Sequence, residues 1–138
     1  MIKQKTVQNN IIKGFKVDIK SAVGIVFDPD NNLLLGLSND EDDRNGKWCF
    51  CGGGIESGES VIQAAVREVY EESGITADPL SISTITHPIK PNVGFTVLKT
   101  QTVKPATVKN QEFDEFKWFA LDKLPDNTLS LNLQILKV

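Results

Sequence analysis

Carboxylate side chains are concentrated between residues 56 and 72 of this 138-residue chain. Three of them follow i, i+3, i+4 spacing, so Glu68, Glu71 and Glu72 share one face of a helix. Like charges at this density repel one another, and a chain that keeps them together usually has a cation to place between them. Because the donor atoms are all oxygens, hard divalent ions such as Mg²⁺ or Mn²⁺ are expected here.

The segment that carries these carboxylates predicts one well-marked helix. Ser60 is a good N-cap, Gln63 completes a capping box with it, and Gly74 is suited to follow the last turn. At 3.6 residues per turn, one small and mostly apolar stripe is predicted to face the core; it consists of Ile62, Ala65, Val66, Val69 and Ser73. The carboxylates then lie on the neighbouring face, beside the sheet that this stripe covers.

The remaining elements are expected to build a sheet around that helix. Alternating and continuous apolar runs predict strands, and a polar run at 28–32 predicts a turn between the first two. The expected strands are 16–27, 33–37, 80–86, 93–103 and 112–119, followed by a short helical turn at 121–124 and a helix at 129–136. Residues 1–14 form a polar segment that either pairs at a sheet edge or stays loose. We predict a single α/β (α+β) domain over residues 1–138.

The carboxylate helix also resembles a known family motif. The pattern is Gly, five residues, Glu, seven residues, Arg-Glu, an aliphatic residue, any residue, Glu-Glu, any residue, Gly and an aliphatic residue. The chain fits every fixed position, with Gly53, Glu59, Arg67, Glu68, Val69, Glu71, Glu72, Gly74 and Ile75. This is the Nudix box, and so many fixed positions make a chance match very improbable. The resemblance implies a sandwich fold with a central mixed sheet and a catalytic loop-helix-loop packed against it.

The resemblance also implies a metal site and a reaction. Glu68 and Glu72 would be the main ligands of Mg²⁺ or Mn²⁺, with Glu71 assisting and the backbone carbonyl of Gly52 joining them. The ions would neutralise charge on a diphosphate and lower the pKa of a water molecule, so that the diphosphate bond is hydrolysed. Arg67 is expected to orient a carboxylate, Glu59 or Glu68, through a bidentate hydrogen bond.

Two parts of the chain offer candidates for the general base of this reaction. Glu68 is one candidate, and relatives also recruit a Glu from a later loop or strand. Glu112 and Glu115 lie in a predicted strand, and we prefer Glu112 as a further metal ligand or base. Strand alternation predicts that Glu112 and Phe116 point one way, and Phe113 and Glu115 the other.

Composition narrows the range of partners. A net charge of −3 argues against a DNA or RNA polymer, because proteins that bind these normally show a basic face. Because no long apolar run is present and the first fifteen residues are polar and mixed, we expect neither a membrane span nor a signal peptide. Cys49 and Cys51 are too close on an extended segment to form a comfortable disulfide, so we interpret them as reduced packing residues. A cytoplasmic monomer or homodimer acting on a small nucleotide-type diphosphate is expected.

The substrate itself is less determined. Short length favours a nucleoside triphosphate pyrophosphohydrolase, whereas Pro91, sixteen residues past Ile75, slightly favours an ADP-ribose or nucleotide-sugar pyrophosphatase. A non-catalytic nucleotide-sensing domain is the second alternative, although such a sensor would not need three carboxylates. The rings available to hold a base are Trp48, Phe50, Phe95 and Trp118. A generic loop at 86–92 is the only candidate for contacts to a second ribose.

Overall fold

Most of the strands pair into one mixed β-sheet with a helix on each face, and residues 11–12 and 15–16 pair in a separate two-stranded sheet. In this computed structural model, residues 18–81, 83–101, 107–109 and 111–136 are described in full, and 5–7, 11–12 and 15–16 by their backbone. The elements are Lys5–Val7 (β1), Ile11–Ile12 (β2), Phe15–Lys16 (β3), Ser21–Phe27 (β4), Leu33–Ser38 (β5), Trp48–Cys49 (β6), Cys51–Gly54 (β7), Val61–Ser73 (α1), Asp78–Pro79 (β8), Thr84–His87 (β9), Lys90–Lys99 (β10), Phe113–Phe119 (β11), a 3₁₀ turn at Leu121–Lys123 and Ser130–Leu136 (α2).

The order of the main strands is β1-β9-β10-β4-β5-β11, and β7 pairs with β4. The long β4–β10 pair is parallel, and the other pairs of this sheet are antiparallel. Strand β4 is therefore central, as its continuous apolar sequence predicts. The glycine-rich strand β7 lies beside one end of β4, which brings the start of the Nudix-box pattern next to the sheet.

The alternation of side chains along β4 separates two cores. Ala22 and Val26 pack towards α1, together with Ala65 and Val69 of that helix. Ile25 and Phe27 point to the opposite face, where Ile135 of α2 covers them. Helices on both faces of a mixed sheet form the predicted α/β sandwich, and the predicted helix at the tail is confirmed.

Several strands begin or end at residues other than those predicted from the sequence. The strand predicted at 16–27 begins at Ser21, and the one predicted at 80–86 is found at Thr84–His87. Pro91 is inside β10 and not in a loop, because β9 and β10 form a hairpin that turns at 88–89. The predicted loop at 86–92 is therefore wrong for most of its length. The strand predicted at 93–103 runs instead from Lys90 to Lys99, and positions 102–103 lie outside the described residues.

Side-chain alternation fails at the start of β11. Phe113 opposes Ser38 and Glu115 opposes Leu37, so Asp114 is an extra residue in a β-bulge. The bulge brings Phe113 and Phe116 to the same face, with ring centroids 4.8 Å apart. The prediction that they point to opposite sides is wrong for this reason. Gly36 makes room for the pair, since a Cβ there would overlap both rings.

Candidate active site

Helix α1 begins and ends as its sequence predicts. The Ser60 side chain accepts a hydrogen bond from Gln63 N at 3.1 Å, and the Gln63 side chain accepts one from Ser60 N at 2.9 Å. Gly74 has φ of 76°, a left-handed conformation that favours glycine, and its N–H bonds to Tyr70 O. The buried stripe differs from the prediction, because it includes Glu72 while Ile62 and Val66 are only half-buried.

Arg67 connects the carboxylates of the helix to the strand before it. Its guanidinium bonds both oxygens of Glu59, with Nε–Oε2 at 2.6 Å and a terminal nitrogen to Oε1 at 3.0 Å. Its other terminal nitrogen donates to Glu68 at 2.9 Å and to Glu71 at 2.8 Å. A further bond reaches Gly54 O at 2.9 Å. The predicted bidentate bond is thus to Glu59, and it holds the pKa of that carboxyl below its usual range.

Glu72 is the most deeply buried of the carboxylates, with 1% of its surface exposed. Its Oε1 accepts a hydrogen bond from Gly52 N at 2.9 Å, so α1 is tied to β7. The backbone N–H of Gly52 contacts Glu72 directly, while a ligand role for its carbonyl remains a prediction. Such a buried carboxylate needs compensation, since burial disfavours its charged form.

Glu112, and not Glu115, reaches this buried carboxylate. The side chains of Glu72 and Glu112 are hydrogen-bonded to each other. The segment before β11 is held against the end of α1, since Lys109 N bonds to Glu72 O at 3.0 Å. Glu115 instead lies 3.7 Å from Lys117 on the strand. A carboxyl next to Glu72 disfavours the ionised form of Glu72 when no cation is between them.

The electrostatics of the cluster fit a divalent cation. Burial, followed by the contact with Glu112 and the charge of Glu68, raises the pKa of Glu72 to about 8. Burial also raises the pKa of Glu68, against the opposing effect of Arg67. A bound cation would reverse both effects, because it stabilises ionised carboxylates. The donor set, all oxygen, suits Mg²⁺ or Mn²⁺.

The carboxylates are arranged in two pairs. Arg67 holds Glu68 and Glu71, whereas Glu72 is paired with Glu112. Among the described residues, no three His, Cys, Asp or Glu side chains already converge enough to hold one cation. The three helix carboxylates therefore do not meet at a single point as expected from the spacing. Small side-chain movements would be needed to coordinate an ion.

Gly53 provides the space in which the Glu68 carboxylate lies. A Cβ added to Gly53 would be 2.6 Å from the Glu68 Cδ and Oε1 atoms. Gly54, the next residue, has nothing within 4 Å of the corresponding position. The close approach of backbone to carboxylate thus explains why glycine is needed at position 53 and not at position 54.

A cleft of about 480 Å³ opens beside this cluster. Gly52 and Gly53 line it where it meets the carboxylates, and Phe50 and Phe95 line its apolar part. The two other rings considered for base binding do not line it: Trp48 packs against Phe119, and Trp118 lies on the α1 side. The polar loop at 38–46 contributes Asp42, Asp43 and Arg44.

Sequence reasoning missed a polar residue of this cleft on α2. Asn132 is 4% exposed and lies on the buried side of the helix with Ile135. A signal was present, because an Asn three residues before a core isoleucine shares its helix face. Cys49 also lines the cleft, but burial raises the pKa of its thiol to about 11. Both cysteines are free and buried, which confirms their packing role.

Comparison with known proteins decides the family. The sequence profile described as the NUDIX domain matches residues 18–137, most of the chain. The chain belongs to the Nudix family. An RNA pyrophosphohydrolase of Shewanella frigidimarina is 37% identical over 86 residues, 62% of this chain and 48% of that protein. An oxidized purine nucleoside triphosphate hydrolase of Danio rerio is 38% identical over 90 residues, 58% of this chain and 53% of that protein.

The fold agrees with this assignment to the Nudix family. A MutT protein from Methanosarcina mazei Go1 superposes with a TM-score of 0.65 at 22% identity, covering 85% of this chain and 88% of that one. The predicted fold class is therefore confirmed. The aligned segments span about half the length of the two curated Nudix relatives. Of the described helices, the longest has 13 residues, and none has the length and apolarity to cross a bilayer.

The raised pKa of Glu72 predicts how stability depends on pH. Because the folded-state pKa of about 8 exceeds the ordinary glutamate pKa of 4.5, the protonated form stabilises the fold. This contribution is complete below about pH 4.5 and is lost as pH rises through 8. In chelator, we expect the free energy of unfolding to fall by a few kcal/mol between about pH 5 and 9.

Denaturant melts at several pH values, with EDTA or with Mg²⁺, measure this dependence. Mg²⁺ should flatten the decline, because the cation favours the ionised carboxylate. The Glu72→Gln variant should lose much of the slope in EDTA, since it cannot titrate. Equal slopes for wild type and variant would show that Glu72 does not carry the effect.

Proposed function

We propose that this chain is a Mg²⁺- or Mn²⁺-dependent pyrophosphohydrolase of nucleoside diphosphates linked to a second group, and that nucleoside triphosphates are its substrates. The observation that carries the proposal is the buried Glu72 carboxyl, paired with Glu112 and close to Glu68, at one end of an open cleft. The Danio rerio relative acts, by its name, on oxidized purine nucleoside triphosphates. A soluble cytoplasmic enzyme, monomeric or homodimeric, is part of the same proposal.

In this proposal, the site residues serve in cation binding and in proton transfer. Glu68, Glu71, Glu72 and Glu112 would hold the cation, with the Gly52 carbonyl as a further ligand. When bound, the cation offsets the charge of the diphosphate oxygens and makes attack by water at phosphorus easier. Arg67 keeps Glu68 and Glu71 oriented through the hydrogen bonds it donates. The cleft beside them would take the nucleoside.

Glu112 is the better candidate for the general base. Its carboxyl is on the exposed side of the pair, whereas Glu72 is buried and Glu68 accepts a bond from Arg67. A base needs a lone pair that faces the attacking water and a route to solvent for the proton. Glu112 would take the proton of the water as its oxygen bonds to phosphorus, and the bridging P–O bond then breaks.

The reaction predicts particular products. Cleavage of a diphosphate bridge converts a nucleoside triphosphate into nucleoside monophosphate and pyrophosphate, and ADP-ribose into AMP and ribose 5-phosphate. Chromatography of the products of purified enzyme with Mg²⁺ or Mn²⁺ tests this. The Glu72→Gln protein, prepared identically, controls for contaminating phosphatases. Orthophosphate and nucleoside diphosphate as main products would contradict the assignment.

A substrate panel separates the alternatives. It should contain nucleoside triphosphates, ADP-ribose, NADH, dinucleoside polyphosphates and a 5′-triphosphorylated RNA, since the Shewanella relative is named an RNA pyrophosphohydrolase. The net charge of −3 supports small substrates over a polymer. A kcat/KM for ADP-ribose more than tenfold above every triphosphate would favour the nucleotide-sugar alternative. Binding without turnover of any member would favour the sensing alternative.

A further inference from the structure

The two ends of the Asn132 amide have different surroundings. Its Oδ1 accepts a hydrogen bond from Phe50 N at 3.1 Å, and the residue lines the cleft. Across the described part of the chain, its Nδ2 has no hydrogen bond to another residue, yet only Thr96 Oγ1 is both buried and unsatisfied. The Nδ2 group therefore has access to the cleft.

The orientation of this amide is set by its backbone partner. Phe50 N–H is a donor and requires an acceptor, which the Asn132 oxygen supplies. The nitrogen end, a donor only, is consequently the end presented to a ligand. The cleft lining is mixed, and its apolar members include Val93, Phe95 and Leu131. A fixed polar donor beside apolar side chains is an arrangement by which pockets orient a planar ligand.

We propose that Asn132 determines base specificity by donating its Nδ2–H to a carbonyl oxygen on the base edge that enters the cleft. The inference rests on the proposed function, and it names the substrate class as 6-oxopurine or 4-oxopyrimidine nucleotides. An exocyclic amino group at the same place would set two donors against each other. The site would then leave both of them unpaired, which is the strongest means of discrimination available to such a pocket.

A purely structural role for Asn132 makes a different prediction. The bond to Phe50 N joins α2 to the segment between β6 and β7, so its loss would weaken the cleft for every nucleotide alike. A base-reading role instead changes the ratio of kcat/KM values between nucleotides that differ at one exocyclic position. Inosine triphosphate against ATP, and UTP against CTP, are such pairs.

The Asn132→Asp variant tests the inference without changing shape. One carboxylate oxygen still accepts from Phe50 N, while the other presents an acceptor where the wild type presents a donor. We expect wild-type enzyme to prefer the oxo member of each pair by about tenfold to a hundredfold, and the variant to reduce or reverse this preference. If the added negative charge lowers kcat/KM for all nucleotides alike, this loss cancels in the ratio of the two kcat/KM values of a pair.

The control is Asn45→Asp, which adds the same charge at an exposed loop position outside the cleft lining. It should keep the wild-type ratios. Unchanged ratios in Asn132→Asp, or a wild-type preference for the amino member, would overturn the inference while leaving the hydrolase proposal intact. Failure of wild type to hydrolyse any nucleotide would instead overturn the proposed function.

Folding of the variant is checked by its melting temperature. If Asn132→Asp does not fold, Asn132→Ser serves as the second variant, because its shorter hydroxyl cannot project into the cleft as the amide does. The oxo preference should then fall towards unity in both pairs. Retention of the full preference in Asn132→Ser would also overturn the inference.

Discussion

The Glu72→Gln variant should lose at least 10²- to 10³-fold in kcat with its fold intact. Glu72 is buried and is hydrogen-bonded to Gly52 N and to the Glu112 side chain. Its carboxylate therefore faces the other carboxylates and not the solvent. Loss of one charge-stabilising ligand raises the barrier by several kcal/mol, which corresponds to a loss of this size. Steady-state kinetics over a range of Mg²⁺ concentrations measures it.

The same variant should be at least as stable as wild type in metal-free buffer at pH 8. The glutamine oxygen can still accept from Gly52 N, and its amide nitrogen can donate to Glu112. Repulsion between carboxylates is removed at the same time. A melting temperature that stays level or rises, together with lost activity, distinguishes a cation site from a structural acid.

Glu115→Gln is the matched control, because it removes one negative charge from the chain at a position where the partner is Lys117. Its kcat should stay close to that of wild type, because the exposed ion pair with Lys117 contributes little to stability and Glu115 does not contact Glu72. Wild-type turnover by Glu72→Gln, or equal losses in the two variants, would refute a metal role for Glu72.

The local signals of α1 were sufficient to predict its place and limits. Ser60, Gln63 and Gly74 act through contacts within a few residues, and such contacts depend little on the rest of the fold. The family pattern and the mixed sheet followed from the same stretch and from apolar periodicity. The bidentate contact of Arg67 with Glu59 was also predictable, since helical spacing limits the reach of both side chains.

Features that depend on tertiary contacts were not predictable in the same way. The burial of Glu72 results from the packing of α1 against β7, which helix periodicity alone does not describe. The bulge at Asp114 reverses the side-chain alternation before it, and neither strand of the pair signals this in its own sequence. The place of Asn132 in the cleft depends on the packing of α2 beside Phe50, which the sequence of α2 does not specify.

The close approach of Gly53 to Glu68 leads to the second large effect. A methyl group on Gly53 would lie 2.6 Å from the Glu68 carboxylate, which is nearer than any normal contact. The three atoms nearest to this methyl group all belong to the Glu68 side chain. The end of a glutamate side chain can move at small cost, so the fold should survive. Its carboxylate, however, would have to leave the position where Arg67 holds it at 2.9 Å.

We therefore expect Gly53→Ala to lower kcat by about a hundredfold, the loss that displacement of a positioned group by 1 Å can cause. Its melting temperature should change by a few degrees at most. Gly54→Ala is the control, because nothing lies within 4 Å of an added Cβ at that neighbouring position. Steady-state kinetics and thermal melts of the two variants give the comparison.

Full activity in Gly53→Ala would mean that the position of the Glu68 carboxylate does not matter for turnover. Equal losses in both alanine variants would point to the flexibility of β7 as the cause, and not to contact with Glu68.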